Sequence, residues 1–193
     1  MIIGITGGSG CGKTTLLRLI ADMGGMVMDC DAIYHQLLET DESLLCAIED
    51  RFSGTVKNGY LDRKALGTIV FADKVALEDL NRITHGAVTR EVKRRLAEKP
   101  KLAAIDAIGL VESGINSVCH TTVAVTAPEE ERVRRLMARD GITEAYARQR
   151  IAAQHTDEWF REHCDYVLQN DGTQAEFEAK CVAFLKNLGI MET

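Results

Sequence analysis

Residues Gly7 to Thr14 read G-G-S-G-C-G-K-T and satisfy the spacing G-x-x-x-x-G-K-[ST]. Glycines let backbone N–H groups come close to an anion and accept conformations closed to other residues. A helix opening near Lys13 would aim its positive end and its unpaired amides at the same point. The Lys13 ammonium can bridge the β- and γ-phosphates of a nucleoside triphosphate, and the Thr14 hydroxyl can ligate Mg²⁺. Gly10, Cys11, Gly12, Lys13, Thr14 and Thr15 are therefore the expected nucleotide contacts. The bareness of the loop is read as room for phosphate.

Carboxylates and arginines elsewhere could complete a phosphoryl-transfer site. "MDCDAIYH" places Asp29 and Asp31 at strand spacing after an apolar run, so either could face a ligand crevice at a strand's carboxyl end. Such a carboxylate can take the proton of an attacking hydroxyl. It can equally cap the helix that follows, and Asp31 is well placed for that. Asp106 closes "AAID", where an acid can hold the water shell of Mg²⁺ or simply start a turn. Arg132, Arg135 and Arg139 fall on one helical face. They could neutralise charge that develops during transfer, or form a solvated face paired with Glu129, Glu130 and Glu131. Arg150 carries the same two readings. His35 and His85 are not at metal-ligand spacing.

These groups need a scaffold that presents strand ends to a common crevice. Five apolar runs read as strands: "MIIGIT", "GMVMD", "LAAID", "TTVAVT" and "DYVLQN". Helical patterns separate them, which predicts an α/β fold with a parallel five-stranded sheet and helices on both faces, the three-layer phosphate-loop NTPase arrangement. A long helical stretch, "DAIYHQLLE" to "KRRLAE", interrupts the strands and reads as an inserted lobe. "APEEERVRRLMARD" is a helix with acids first and arginines last, in keeping with its dipole. "GITEAYARQRIAAQHTDEWF" follows as a helix pair and reads as a lid over the loop. The expected division is a core over 1–31, 101–139 and 162–193, a substrate lobe over about 32–100, and a lid over about 140–161. Trp159 and Phe160 read as core or hinge anchors.

Composition narrows the partners. The 193 residues carry a net charge of −6, which disfavours general nucleic-acid binding and leaves anionic substrates to local arginines. Six cysteines show no C-x-x-C spacing, which suits a reducing compartment. No apolar run approaches membrane-spanning length, and the first strand begins too early for a signal peptide, so a cytoplasmic location is expected, with no protein partner implied.

The ordered set of motifs resembles the dephospho-CoA kinase family over nearly the whole chain. "GITGGSGCGKTT" is similar to that family's opening loop, and "VMDCDAIYH" resembles its V-I-D-A-D-x-I-x-[RH] segment. "LDRKALGTIVFAD" with "LNRITH" resembles its central helical block. "APEEERVRRLMARDG", "RIAAQ" and "DYVLQNDG" follow in the family's order. The resemblance implies ATP-dependent, Mg²⁺-assisted transfer of the γ-phosphoryl group to the 3′-hydroxyl of dephospho-CoA. It implies Asp31 as base, Lys13 and Thr14 at the phosphates and metal, Arg139 in the lid, and Asn170 near adenine. It also implies Arg63, His85 and Glu112 as acceptor contacts. Two departures bear on the acceptor pocket: Gly86 stands where the family has proline after "ITH", and "DAIGLVE" replaces D-x-P-L-L-[FY]-E. A shikimate or sugar kinase also pairs a phosphate loop with D-x-D, but a shikimate kinase should show G-G-G after the third strand. A guanine-nucleotide switch should carry N-K-x-D, where this chain has "QNDG". A non-catalytic paralogue has "DAIGLVE" as its sole support.

Overall fold

The computed structural model describes residues 1–191 as two compact units. One comprises Met1–Val27, Pro100–Val111 and the chain from Asn116 onward; the other comprises Met28–Lys99 and Glu112–Ile115. The second unit thus begins a few residues before the expected lobe and takes in a short later segment. Residues 140–161 belong with the sheet-bearing unit.

The five apolar runs are the five strands of one sheet. They are β1 (Ile2–Thr6), β2 (Met26–Asp29), β5 (Ala103–Asp106), β6 (Thr121–Thr126) and β7 (Tyr166–Gln169), in the order β2-β5-β1-β6-β7. The sheet is parallel: β1 runs alongside β5 with Ile3 opposite Ala104, and alongside β6 with Ile3 opposite Thr121. β6 in turn pairs with β7, Val123 lying opposite Tyr166. With β1 in the middle, the chain runs first to the edge strand β2, returns to β5 beside β1, and then crosses to β6 and β7 on the other side. That reversal opens a crevice beyond the carboxyl end of β1, where α/β sheets bind ligands.

Helix α1 (Lys13–Asp22) and helix α9 (Gln174–Asn187) cover the sheet. Ile3, Ile5, Val123 and Val125 from the strands meet Leu16 and Ile20 of α1 and Phe177, Phe184 and Leu185 of α9 in one buried cluster. A capping box starts α9, with Thr173 and Glu176 satisfying each other's backbone N–H groups. The proposed lid helices are α7 (Glu144–Ala152) and α8 (Asp157–His163), after α6 (Glu129–Asp140). Val133 and Leu136 of α6 pack with Ala147 and Ile151 of α7 in a separate small core. Phe160 is buried, whereas Trp159 lies stacked between the rings of His155 and His163, with centroids 3.7 and 4.2 Å away.

The second unit is helical, as its periodicity requires. It contains α2 (Cys30–Thr40), α3 (Glu42–Arg51), α4 (Arg63–Val70) and α5 (Lys74–Leu96), joined around Leu44, Ile48, Phe52, Leu66, Val70 and Ala87. "SGTVKNGY", read as a turn, is a small hairpin between β3 (Val56–Lys57) and β4 (Tyr60–Leu61). Asn58 and Gly59 both take positive φ, which an N-G pair permits and a two-residue hairpin favours.

One sequence expectation is reversed at the start of α2. The strand ends at Asp29, so Asp31 never alternates with it; Asp31 sits in the first helical turn. Asp29 is the cap, its Oδ1 accepting the Ala32 N–H at 3.0 Å. The Asp31 carboxylate is exposed and has no hydrogen bond or ion pair among the described residues. Asp29→Ala should therefore cost about 1 kcal/mol of stability, while Asp31→Asn should leave the denaturation midpoint near that of the parent. Urea titration of both variants checks the assignment.

Candidate active site

The loop between β1 and α1 is bare for a reason the sequence did not disclose. A Cβ on Gly7 would enter the Val125 carbonyl of β6, and Gly7 holds φ of 127°, which only glycine adopts without strain. A Cβ on Gly8 would run into the Arg132 guanidinium, and one on Gly12 into the Asn170 amide. The glycines clear protein from beneath the loop, so the expectation that bareness serves phosphate alone is corrected. Close packing from below holds the backbone so that its upper face can present amides.

Four side chains make that packing. Arg132, in α6, is buried; its Nε donates to Ser9 O at 3.0 Å and its Nη2 to Gln154 Oε1 at 2.7 Å. Gln154, just beyond α7, also accepts from Ser9 N at 2.9 Å and donates to Ser9 Oγ at 2.8 Å. Asn170, at the end of β7 and buried, donates through Nδ2 to Cys11 O at 2.9 Å. Arg135 Nη1 donates to Gly10 O at 3.1 Å from the same face of α6. Arg132 is thus neither on a solvated face nor open to solvent for ligand contact, because its guanidinium is enclosed by the loop it supports. Residue type and spacing do not single out Gln154; its one sequence signal is that it closes the family-like "RIAAQ" segment after the arginine helix.

The charged end of the loop is poised differently. Lys13 Nζ donates to Gly7 O at 3.0 Å and stands 3.8 Å from Asp106 Oδ1, at the end of β5. The Thr14 hydroxyl is exposed, with no hydrogen-bond partner among the described residues. An uncommitted hydroxyl and a carboxylate on neighbouring elements are oxygen donors of the kind Mg²⁺ takes, and that ion keeps its remaining ligands as water and phosphate. Burial raises the Cys11 thiol above its ordinary pKa, against the opposing fields of Arg132 and Lys13. A cleft of about 410 Å³ opens beside the loop, lined by Gly12, Thr15, Arg135, Asn170, Gly172 and Phe177 among others.

The remaining arginines divide. Arg134 pairs with Glu131 at 2.6 Å and is exposed. Glu129 and Glu130 are met by Arg148 of α7 at 2.8 and 2.9 Å rather than by the helix's own arginines. Arg139 lies at the end of α6 and forks onto Asp140 at 2.6 and 2.9 Å, while Arg150 reaches the same carboxylate at 2.8 Å. Chiefly through the Arg139 hydrogen bonds, Asp140 is held at a pKa of about 2.

In the helical unit, His85 of α5 feels the field of Glu112. Arg63 lies apart from a carboxylate: among the described residues none is within ion-pair distance, and its Nη2 donates to His35 Nδ1 at 3.3 Å. The other arginines of this unit, Arg51, Arg82, Arg90, Arg94 and Arg95, each have a carboxylate partner. Gly86, the departure in α5, leaves the helix unbroken, and a Cβ there would meet only Arg90 Nη1 at 3.8 Å.

Similarity to known proteins extends over nearly the full chain. A family model described as Dephospho-CoA kinase matches residues 1–176. The dephospho-CoA kinase of Lactobacillus johnsonii is 33% identical over 97% of this chain and 98% of its own. The one from Thermus thermophilus is 36% identical over 97% and 92%. Among solved structures, a Thermus thermophilus protein aligns with a TM-score of 0.80 at 36% identity over 97% of both chains. A dephospho-CoA kinase from Campylobacter jejuni aligns at 0.68 and 26%, over 98% of both. A shikimate kinase from Bacteroides thetaiotaomicron aligns at 0.61 but only 15% identity over 98% of both, a likeness of fold alone.

Partial burial, the largest effect on His85, lowers its pKa below the ordinary 6.5 despite the nearby Glu112. The unfolded chain therefore takes up that proton first as pH falls through about 6.5, and stability falls with it. Between about pH 7 and 5, His85→Gln should lose less stability than the parent. Urea midpoints across that range supply the comparison.

Proposed function

The chain belongs to the dephospho-CoA kinase family, and from that premise we propose which of its residues carry the ATP-dependent phosphorylation of dephospho-CoA to coenzyme A. The observation that carries the proposal is the Gly7–Thr14 loop, held from below and opening onto the N-terminus of α1. Backbone amides of Gly10 to Thr15 cradle the β- and γ-phosphates. Lys13 exchanges its bond to Gly7 O for those oxygens, a short swing for a flexible ammonium. Thr14 and Asp106 would hold Mg²⁺, which would supply charge neutralisation for the phosphates. The cleft beside Asn170 and Gly172 receives the adenine.

Asp31 is the proposed base. Its exposed carboxylate, without an internal partner, is able to accept a proton. The 3′-oxygen of dephospho-CoA attacks the γ-phosphorus, the bond to the bridging oxygen breaks, ADP leaves, and the hydroxyl proton passes to Asp31. Arg63, with no carboxylate of its own, is suited to an anionic group of the acceptor. His85 and Glu112 complete the acceptor contacts, and Gly86 with Ile108, Gly109 and Val111 of "DAIGLVE" reshape that pocket, while Asp106 of the same segment stays beside Lys13. Arg139 acts from the end of α6, where the lid of about residues 140–161 begins, leaving Asp140 to Arg150 as it meets the transferring group. The proposal includes a cytoplasmic enzyme with a small-molecule acceptor and no nucleic-acid partner, supported by the net charge of −6 and the cysteine usage. Among the described residues no helix is long and apolar enough to cross a membrane.

Two substitutions test the roles. Asp31→Asn should retain binding of both substrates and lower kcat by about 10²–10⁴. An unchanged kcat in a coupled ADP-release assay with dephospho-CoA would remove Asp31 from the chemistry. Arg139→Ala should lower kcat and kcat/KM together with little change in ATP affinity, because its contact forms in the transition state. Arg134→Ala, bound to Glu131 on the exposed face, is the control; equal mild effects from both would end the lid role of Arg139.

A further inference from the structure

Arg132 combines three properties that do not usually meet. It is buried, at 6% exposure; it lies against the backbone of the phosphate loop; and among the described residues no carboxylate is within ion-pair distance of it. Buried charges are normally paired, because an unpaired one forfeits hydration with nothing of opposite sign to replace it. Here the guanidinium is met by the carbonyl of Ser9 and the neutral amide of Gln154. Its field reaches the centre of the loop: of the charges acting on the Cys11 thiol, Arg132 is the largest, ahead of Lys13, with Asp157 opposing.

Gln154 is suited to this arrangement because it is neutral and carries both an acceptor and a donor. Its Oε1 takes N–H groups from Arg132 and Ser9, and its Nε2 gives one to Ser9 Oγ. A glutamate would satisfy the guanidinium better, yet it would cancel the charge. Gly8 belongs to the same device, since a side chain there would displace both the guanidinium and the amide.

We propose that Arg132 gives the phosphate loop a buried positive charge whose counter-ion is the nucleotide's polyphosphate, and that Gln154 holds this charge in place while leaving it uncompensated. Arg132 is then a positioning residue that acts on the phosphates through the loop rather than by touching them. The inference rests on the loop being the triphosphate site.

Gln154→Glu is the decisive variant, because it keeps the shape and the acceptor while adding the missing counter-charge. Calorimetric titration with ATP should show affinity weakened at least about tenfold, the effect of a unit charge a few ångströms from the phosphates in a partly buried setting. ADP, with less charge, should lose less, and thermal stability should stay at or above the parent's. Gln154→Leu, which removes the bonds without adding charge, should weaken ATP less than Gln154→Glu. If Gln154→Glu binds ATP as the parent does, or Gln154→Leu is the more damaging of the two, the bracing is steric and the proposal is wrong. Should Gln154→Glu fail to fold, Arg132→Lys must keep ATP affinity near the parent's while Arg132→Gln loses about tenfold; equal losses overturn it. A parent that binds ATP no better than Lys13→Ala would instead overturn the reading of the loop itself.

Discussion

A loop of nearly bare backbone keeps one conformation only where something packs against it, and here it leans on side chains from distant parts of the chain. The Arg132 guanidinium and the Gln154 amide fix Ser9, Asn170 fixes Cys11, and Arg135 fixes Gly10. Each of these contacts engages a carbonyl or an amide on the underside of the loop. The upper face is left to the residues whose groups carry little or no internal commitment. Without the supports, a run of glycines would sample many conformations, and the ordering entropy would be charged to nucleotide binding.

The sheet makes those contacts possible. β1 delivers the loop at its carboxyl end, flanked by β5 and β6. β6 leads into Pro128 and α6, which brings Arg132 and Arg135 to the loop, and Asn170 follows the end of β7 on the far side of β6. The all-buried β6 and the cluster of Ile3, Ile5, Leu16, Val123 and Phe177 keep these elements in register. A shift of one strand would move Asn170 or Arg132 off the loop. The likeness to shikimate kinase at 15% identity is one of this framework alone.

The helical unit shows the opposite economy. Its charged residues are mostly spent on one another: Glu91 takes Arg94 and Arg95, and Asp79 takes Arg51 and Arg82. Against that background Arg63 beside His35 and the half-buried His85 in the field of Glu112 stand out as groups whose interactions are not ordinary surface ion pairs. Gly86 lies within α5 without kinking it, so the departure from proline costs this helix no backbone hydrogen bond.

Much of this molecule was legible in the sequence because it depends on local patterns. The five apolar runs became strands, the 3.6-residue periodicities became helices, and the Gly7–Thr14 spacing became a loop at a helix N-terminus. Those outcomes follow from backbone geometry and hydrophobic alternation over a few residues, which a linear reading can see. Family motifs extended the reading to Asn170, Arg63, His85 and Glu112. Which of Asp29 and Asp31 caps α2 depended on the residue at which β2 stops. The fate of each arginine in α6 depended on what faced it: Glu131 for Arg134, Asp140 for Arg139, and the loop for Arg132 and Arg135. Helical spacing put Arg132, Arg135 and Arg139 on one face, but only the fold brought Ser9 and Gln154, 145 residues apart, into hydrogen-bond contact. Burial of a charge is a property of its surroundings in space, and those surroundings come from strands and helices that the chain order keeps far apart.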